Sequence, residues 1–152
     1  MKIRTMIAAG LTGAALTVAP IVAPEASAAV TVSGQVTCLN SQVQGVWIQA
    51  ESSTSGFAQW YMPLQLGGLS QANYYFTLNR GGRYQVHVGC GGSRANWALD
   101  AKSGYVSGTK NNFRCNDIPW WLRSLGSAAM KRILGWRVDL TYGIPYGTCS
   151  RI

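Results

Sequence analysis

The chain has 152 residues, 47% of them apolar, with thirteen lysines and arginines against five acids, one histidine and a net charge of +8. Charges of both signs are sparse, so the cationic bias excludes a dense basic arm. One histidine and so few carboxylates also leave little material for a catalytic pair or triad.

Met1-Lys2-Ile3-Arg4 sets two cations ahead of an apolar stretch, Met6–Ala23, rich in Ala, Gly and Thr and broken by Pro20. It ends in Pro24-Glu25-Ala26-Ser27-Ala28. A positive start, a short apolar run and a small-x-small site predict a secretory signal peptide over residues 1–28. Pro20, Pro24 and the weak hydrophobicity of Ala and Gly argue against an anchoring helix of about 20 residues. Removal leaves one domain, residues 29–152, and takes Lys2, Arg4 and Glu25 with it, so the charge falls by one to +7. The expectation is a secreted, extracellular protein, free or held at the cell wall, with no integral membrane span after removal.

From Val30 to about Gly108 the pattern is β. The predicted strands are Val30–Cys38, Gln44–Ala50, Phe57–Tyr61, Asn73–Leu78, Arg83–Gly89, Ala95–Ala98 and a short Gly104–Val106. Gly- and Ser-rich turns separate them, as in a sandwich or barrel. Leu78–Arg83 is the best hairpin turn among them.

The segment 115–152 reads as a helix-containing extension. Asn116-Asp117 can cap a helix with Pro119 in its first turn. Ile118, Leu122, Leu125, Ala129, Ile133 and Trp136 then recur at steps of three and four, and Gly135 ends the run. A last strand, Trp136–Tyr142, precedes the loop to Cys149. The predicted fold is therefore mainly β: a small antiparallel β-sandwich over 30–108, one C-terminal amphipathic helix and two disulfides.

Cys38, Cys90, Cys115 and Cys149 all lie in the exported part, and an even count there implies disulfides. With no C-x-x-C pair, no metal site is expected. The even positions are apolar in both Val30–Cys38 and Tyr84–Cys90, so Cys38 and Cys90 end on core-facing rows. That pairs Cys38 with Cys90, and Cys115 with Cys149 by elimination.

Val32-Ser33-Gly34-Gln35-Val36, Gln44-Gly45-Val46-Trp47-Ile48, Asn73–Leu78 and Gly82-Arg83-Tyr84-Gln85-Val86-His87-Val88 together resemble the transthyretin-like, carboxypeptidase-regulatory-type β-sandwich of many secreted proteins. The resemblance covers about half the chain, and the helix Pro119–Leu134 has no counterpart in it. It implies an antiparallel sandwich used as a binding or spacer module without catalysis of its own. Gly45–Ile48 and His87–Gly92 are also similar to segments of small exported actinobacterial proteins.

No Gly-x-Ser-x-Gly elbow marks a nucleophile. His87, opposite the apolar row of its strand, is expected to be exposed or at a rim, and Asp117 is expected to cap the helix. No catalytic residue and no cofactor are assigned. The aromatic residues are more informative. Val46 and Ile48 point inward, so Trp47 points outward, and Tyr75 lies opposite Tyr74 and Phe76. Trp47, Gln49, Gln59, Trp60 and Tyr75 would make a sugar- or peptide-binding face if their strands are neighbours. The expected function is a secreted, non-enzymatic binding module for cell-wall or extracellular glycan or a protein partner. The alternative is a membrane-active or inhibitory factor using the cationic, Trp-rich helix: Trp120, Trp121, Arg123, Lys131 and Arg132. Export demotes nucleic acid as a partner.

Overall fold

A computed structural model describes residues 28–63, 65–66, 69–118 and 146–152. The expected signal peptide, the helix Pro119–Leu134 and the strand Trp136–Tyr142 lie outside the described residues.

Among the described residues ten strands make two sheets. They are β1 (Val30–Cys38), β2 (Val43–Ala50), β3 (Gly56–Phe57), β4 (Gln59–Tyr61), β5 (Gln65–Leu66), β6 (Leu69–Leu78), β7 (Tyr84–Gly92), β8 (Trp97–Lys102), β9 (Phe113–Cys115) and β10 (Cys149–Arg151). The larger sheet runs β10-β9-β1-β6-β4, with β5 also on β6, and the smaller runs β3-β2-β7-β8. The larger sheet is mixed, because β9 lies parallel to β1 in the register Val36 to Phe113 and Cys38 to Cys115. The ladders within 30–108 are all antiparallel, and the parallel pair comes from β9, beyond that range. A parallel neighbour needs a long crossover, and residues 39–112 supply it.

Alternation builds the core. Val32 and Val36 from β1 are fully buried with Val46 and Ile48 from β2, Ala72, Tyr74 and Leu78 from β6, and Tyr84, Val86 and Val88 from β7. Apolar side chains two residues apart on a strand share a face, so the two sheets close on one another through these rows.

Both disulfides sit at one end. Cys38 of β1 is bonded to Cys90 of β7, with Cα atoms 5.8 Å apart, and so joins the two sheets. Cys115 and Cys149 are bonded within the larger sheet, where they are direct partners of β9 and β10. Cys38, Cys115 and Cys149 thus form one row across three strands. Two such bonds are consistent with an oxidising environment. Among the described residues no helix is long and apolar enough to cross a membrane.

Two corrections follow from the topology. The turn Leu78–Arg83 does not close a hairpin. β6 pairs with β1 and β4, whereas β7 pairs with β2 and β8, so this turn carries the chain from one sheet to the other. Gly81 and Gly82, at φ of 65° and 97°, allow the arch. Asn79 is held by the Thr54 amide, which donates to its Oδ1 at 3.0 Å. The single predicted strand Phe57–Tyr61 is two strands. β3 pairs with β2 and β4 pairs with β6, and the buried Ala58 between them donates its amide to the Val46 carbonyl at 2.9 Å. The expected strand Ala95–Ala98 extends later, as β8, and Val106 makes an isolated bridge to Tyr84.

Candidate functional site

The outer face of the larger sheet carries two polar rows. Strand register places Lys110 beside Ser33, Ser33 beside Tyr75, and Tyr75 beside Gln59. The next outward row runs through Gln35, Asn73 and Tyr61, and the Asn112 side chain joins it by accepting the Gln35 amide at 2.9 Å. On β1 and β6 the outward positions are odd residues, and even residues of the same strands make the core. The rows cross four chain segments, a span of about 14 Å at ordinary strand spacing.

Between them lies an open groove of about 430 Å³. Tyr61 and Tyr75 give it exposed aromatic rings, at 57% and 44% exposure. Asn73, Gln35, Asn112 and Ser33 contribute amide and hydroxyl groups, and Lys110 an ammonium. The Tyr75 hydroxyl donates to Gln59 Oε1 at 2.5 Å, which fixes the ring's outer edge.

The residues beneath explain why this face holds its shape. Tyr74 is buried, and its hydroxyl donates to the Asn111 carbonyl at 2.9 Å. The Asn111 amide in turn donates to the Tyr84 hydroxyl at 2.7 Å and to the Ser107 carbonyl at 3.1 Å. Burial, with Tyr84 close by, pushes the Tyr74 phenol well above its usual range, so it stays a donor. Gly34 is required here, because a Cβ would lie 1.8 Å from the Asn111 carbonyl oxygen. The buried Asn111 therefore pins the segment that presents Lys110 and Asn112 on either side of it.

The predicted face Trp47, Gln49, Gln59, Trp60 and Tyr75 is not one surface. Gln59 and Tyr75 meet as expected. Trp47 and Gln49 project from β2 on the opposite side of the sandwich, because β2 and β4 belong to different sheets. Trp60 pairs with Tyr74, on the inward parity, and packs partly buried against the core with the Arg94 guanidinium 5.0 Å from its ring. Trp120, Trp121, Arg123, Lys131 and Arg132 lie outside the described residues.

On the opposite face Trp47, Phe57 and Trp97 stack edge to face, with centroids 4.8 Å and 6.0 Å apart. Gly45 and Gly89 form the floor under the Trp97 indole. Beside this row His87 is buried rather than exposed or at a rim, a correction that follows from its neighbours. Its Nδ1 lies 3.0 Å from Asp100 and its Nε2 3.0 Å from Gln49 Oε1. Both ring nitrogens are engaged, which holds the imidazole in place. Asp117, expected at a helix cap, accepts the Asn40 amide at 2.8 Å and the Ser41 hydroxyl, and so closes the β1–β2 turn.

Ser33, Gln35, Tyr61, Asn73, Lys110 and Asn112 were not singled out from the sequence. The outward parity of β1 was available as a signal for the first two. Nothing local marks Lys110 and Asn112, which reach the face through the pairing of Ser33 with Lys110. Comparison with protein-family models, curated proteins and solved structures returns no match to this chain.

Proposed function

We propose that this domain is an exported, non-enzymatic binding module that holds a glycan strand across the outer face of its larger sheet. The observation that carries this reading is the pair of outward rows, in which two exposed tyrosine rings stand among amide and hydroxyl groups. Aromatic rings take up the apolar faces of pyranose rings, and amides satisfy the sugar hydroxyls. The groove is open to solvent, as a polymer requires. Export rests on the N-terminal pattern of residues 1–28, and two disulfides suit an oxidising compartment. A role as a carboxypeptidase-regulatory-type module fits the same picture of binding without chemistry.

The test is retention on purified cell wall and on insoluble polysaccharides, with Tyr75→Ala and Trp47→Ala compared with the parent. Retention that Tyr75→Ala weakens about tenfold, and Trp47→Ala leaves unchanged, is the expected result. No retention on any polymer, or equal retention by Tyr75→Ala, would overturn the reading.

A further inference from the structure

We infer that the groove selects a carboxylate-bearing glycan, a polymer of uronic or similarly acidic sugars, over a neutral one. This rests on the glycan reading above and names the ligand class of the same site.

The observation is the placement of charge. Lys110 is exposed at one end of the row Lys110, Ser33, Tyr75, Gln59 and lines the groove. The acidic side chains among the described residues, Glu51, Asp100 and Asp117, are all engaged elsewhere. Glu51 lies 3.6 Å from Arg83 at the end of β2, Asp100 contacts His87 and Lys102 on the opposite sheet, and Asp117 closes the β1–β2 turn. No acidic side chain among the described residues pairs with Lys110, so its ammonium faces a groove whose other lining side chains are neutral. The remaining lining residues are tyrosines, amides, a serine and a glycine, which carry no charge to offset it.

Ring stacking and charge act on different parts of a ligand. The Tyr61 and Tyr75 rings need a flat pyranose face, whereas the ammonium needs an anion at the ring's periphery. A uronic acid carries both on one residue. A polyol phosphate has the charge without the ring, and a neutral hexose polymer the ring without the charge. The Lys110 ammonium is a point charge on a flexible stem, so it can follow a carboxylate along the strand without demanding bidentate geometry.

The test measures affinity for soluble polygalacturonate, for the same polymer after carboxyl reduction, and for poly(glycerol phosphate). The parent is expected to bind polygalacturonate more tightly than the reduced polymer, with the difference shrinking as sodium chloride rises. Lys110→Gln should lower the ratio of the two affinities roughly threefold to fivefold, as an exposed ion pair does. Tyr75→Ala should weaken both alike. Equal affinity of the parent for the two polymers, or a ratio unmoved by Lys110→Gln, overturns the selectivity. Binding of poly(glycerol phosphate) as tight as polygalacturonate also overturns it, since charge without a sugar ring would then suffice. If Tyr75→Ala binds both galacturonan forms like the parent, the groove itself is not the site, and the glycan reading fails separately.

Discussion

The Tyr74 hydroxyl reaches past β1 to donate to the Asn111 carbonyl at 2.9 Å, through a space that exists because residue 34 is glycine. One buried bond thus ties the core to the segment that presents Lys110 and Asn112 at the groove. Tyr74→Phe removes the donor and leaves a buried carbonyl short of a partner. It should cost about 1–3 kcal/mol in chemical denaturation. It should also weaken polysaccharide retention, because the segment loses one of its anchors while Tyr61 and Tyr75 remain.

The same residue predicts an alkaline limit. Folding raises the Tyr74 phenol above its ordinary value near 10. The protonated form is thus favoured in the folded state, and its contribution is fully present below pH 10. Above that, the unfolded chain releases the proton first, so stability falls as pH rises. Denaturation midpoints measured upward from pH 9 should decline, and Tyr74→Phe should flatten that decline.

Gly34→Ala is expected to be worse than Tyr74→Phe. The new methyl meets backbone, which cannot swing aside as a side chain would, and overpacking of this kind costs about 1–3 kcal/mol or more. Thermal unfolding should show the larger shift. The two substitutions should also be non-additive, because both break the same contact.

On the opposite face, Gly89→Ala places a Cβ 2.2 Å from the Trp97 indole and should expel it from its floor. A loss of about 1–3 kcal/mol is expected, with a red shift in tryptophan emission. In a double-mutant cycle with Trp97→Ala the penalty should largely vanish. Polysaccharide retention should be unaffected, since this row lies across the sandwich from the groove.

Replacing Cys38 and Cys90 together with alanine should cost about 4 kcal/mol by the chain-entropy estimate for a separation of 52 residues. Removing Cys115 and Cys149, 34 residues apart, costs nearly as much by the same estimate. Their consequences should differ. Loss of the first bond frees one sheet from the other, whereas loss of the second releases β10 from the end of the larger sheet. Amide exchange should separate the cases, with protection falling in β7 in one variant and in β9 and β10 in the other.

Much of the sandwich could be read from residue parity. Val30–Cys38 has the predicted bounds, and the even rows ending at Cys38 and Cys90 identify their bond because alternation is a local signal that burial enforces. The turn at Leu78–Arg83 misled because paired glycines suit either a hairpin or an arch, and long-range pairing decides between them. Ala58 gives no local sign that the strand changes sheets there. β9 and β10 have three residues each, too few for periodicity to emerge. The groove was half legible for the same reason. Gln59 and Tyr75 are outward by parity, but joining them to Ser33, Gln35 and Lys110 requires the order of strands across the sheet. Trp47 and Gln49 had the right parity on the wrong sheet, which no single strand reveals.

Ala58 offers a way to watch the two sheets come together. Its amide belongs to neither β3 nor β4, and its hydrogen bond to the Val46 carbonyl forms where the chain leaves the smaller sheet for the larger one. Slow deuterium uptake there requires the smaller sheet to hold Val46 and the larger sheet to hold Gln59–Tyr61 at the same moment. A single resonance would therefore time the docking of the layers, separately from the zipping of either, and would show whether a ligand in the groove tightens the whole sandwich or only the face it touches.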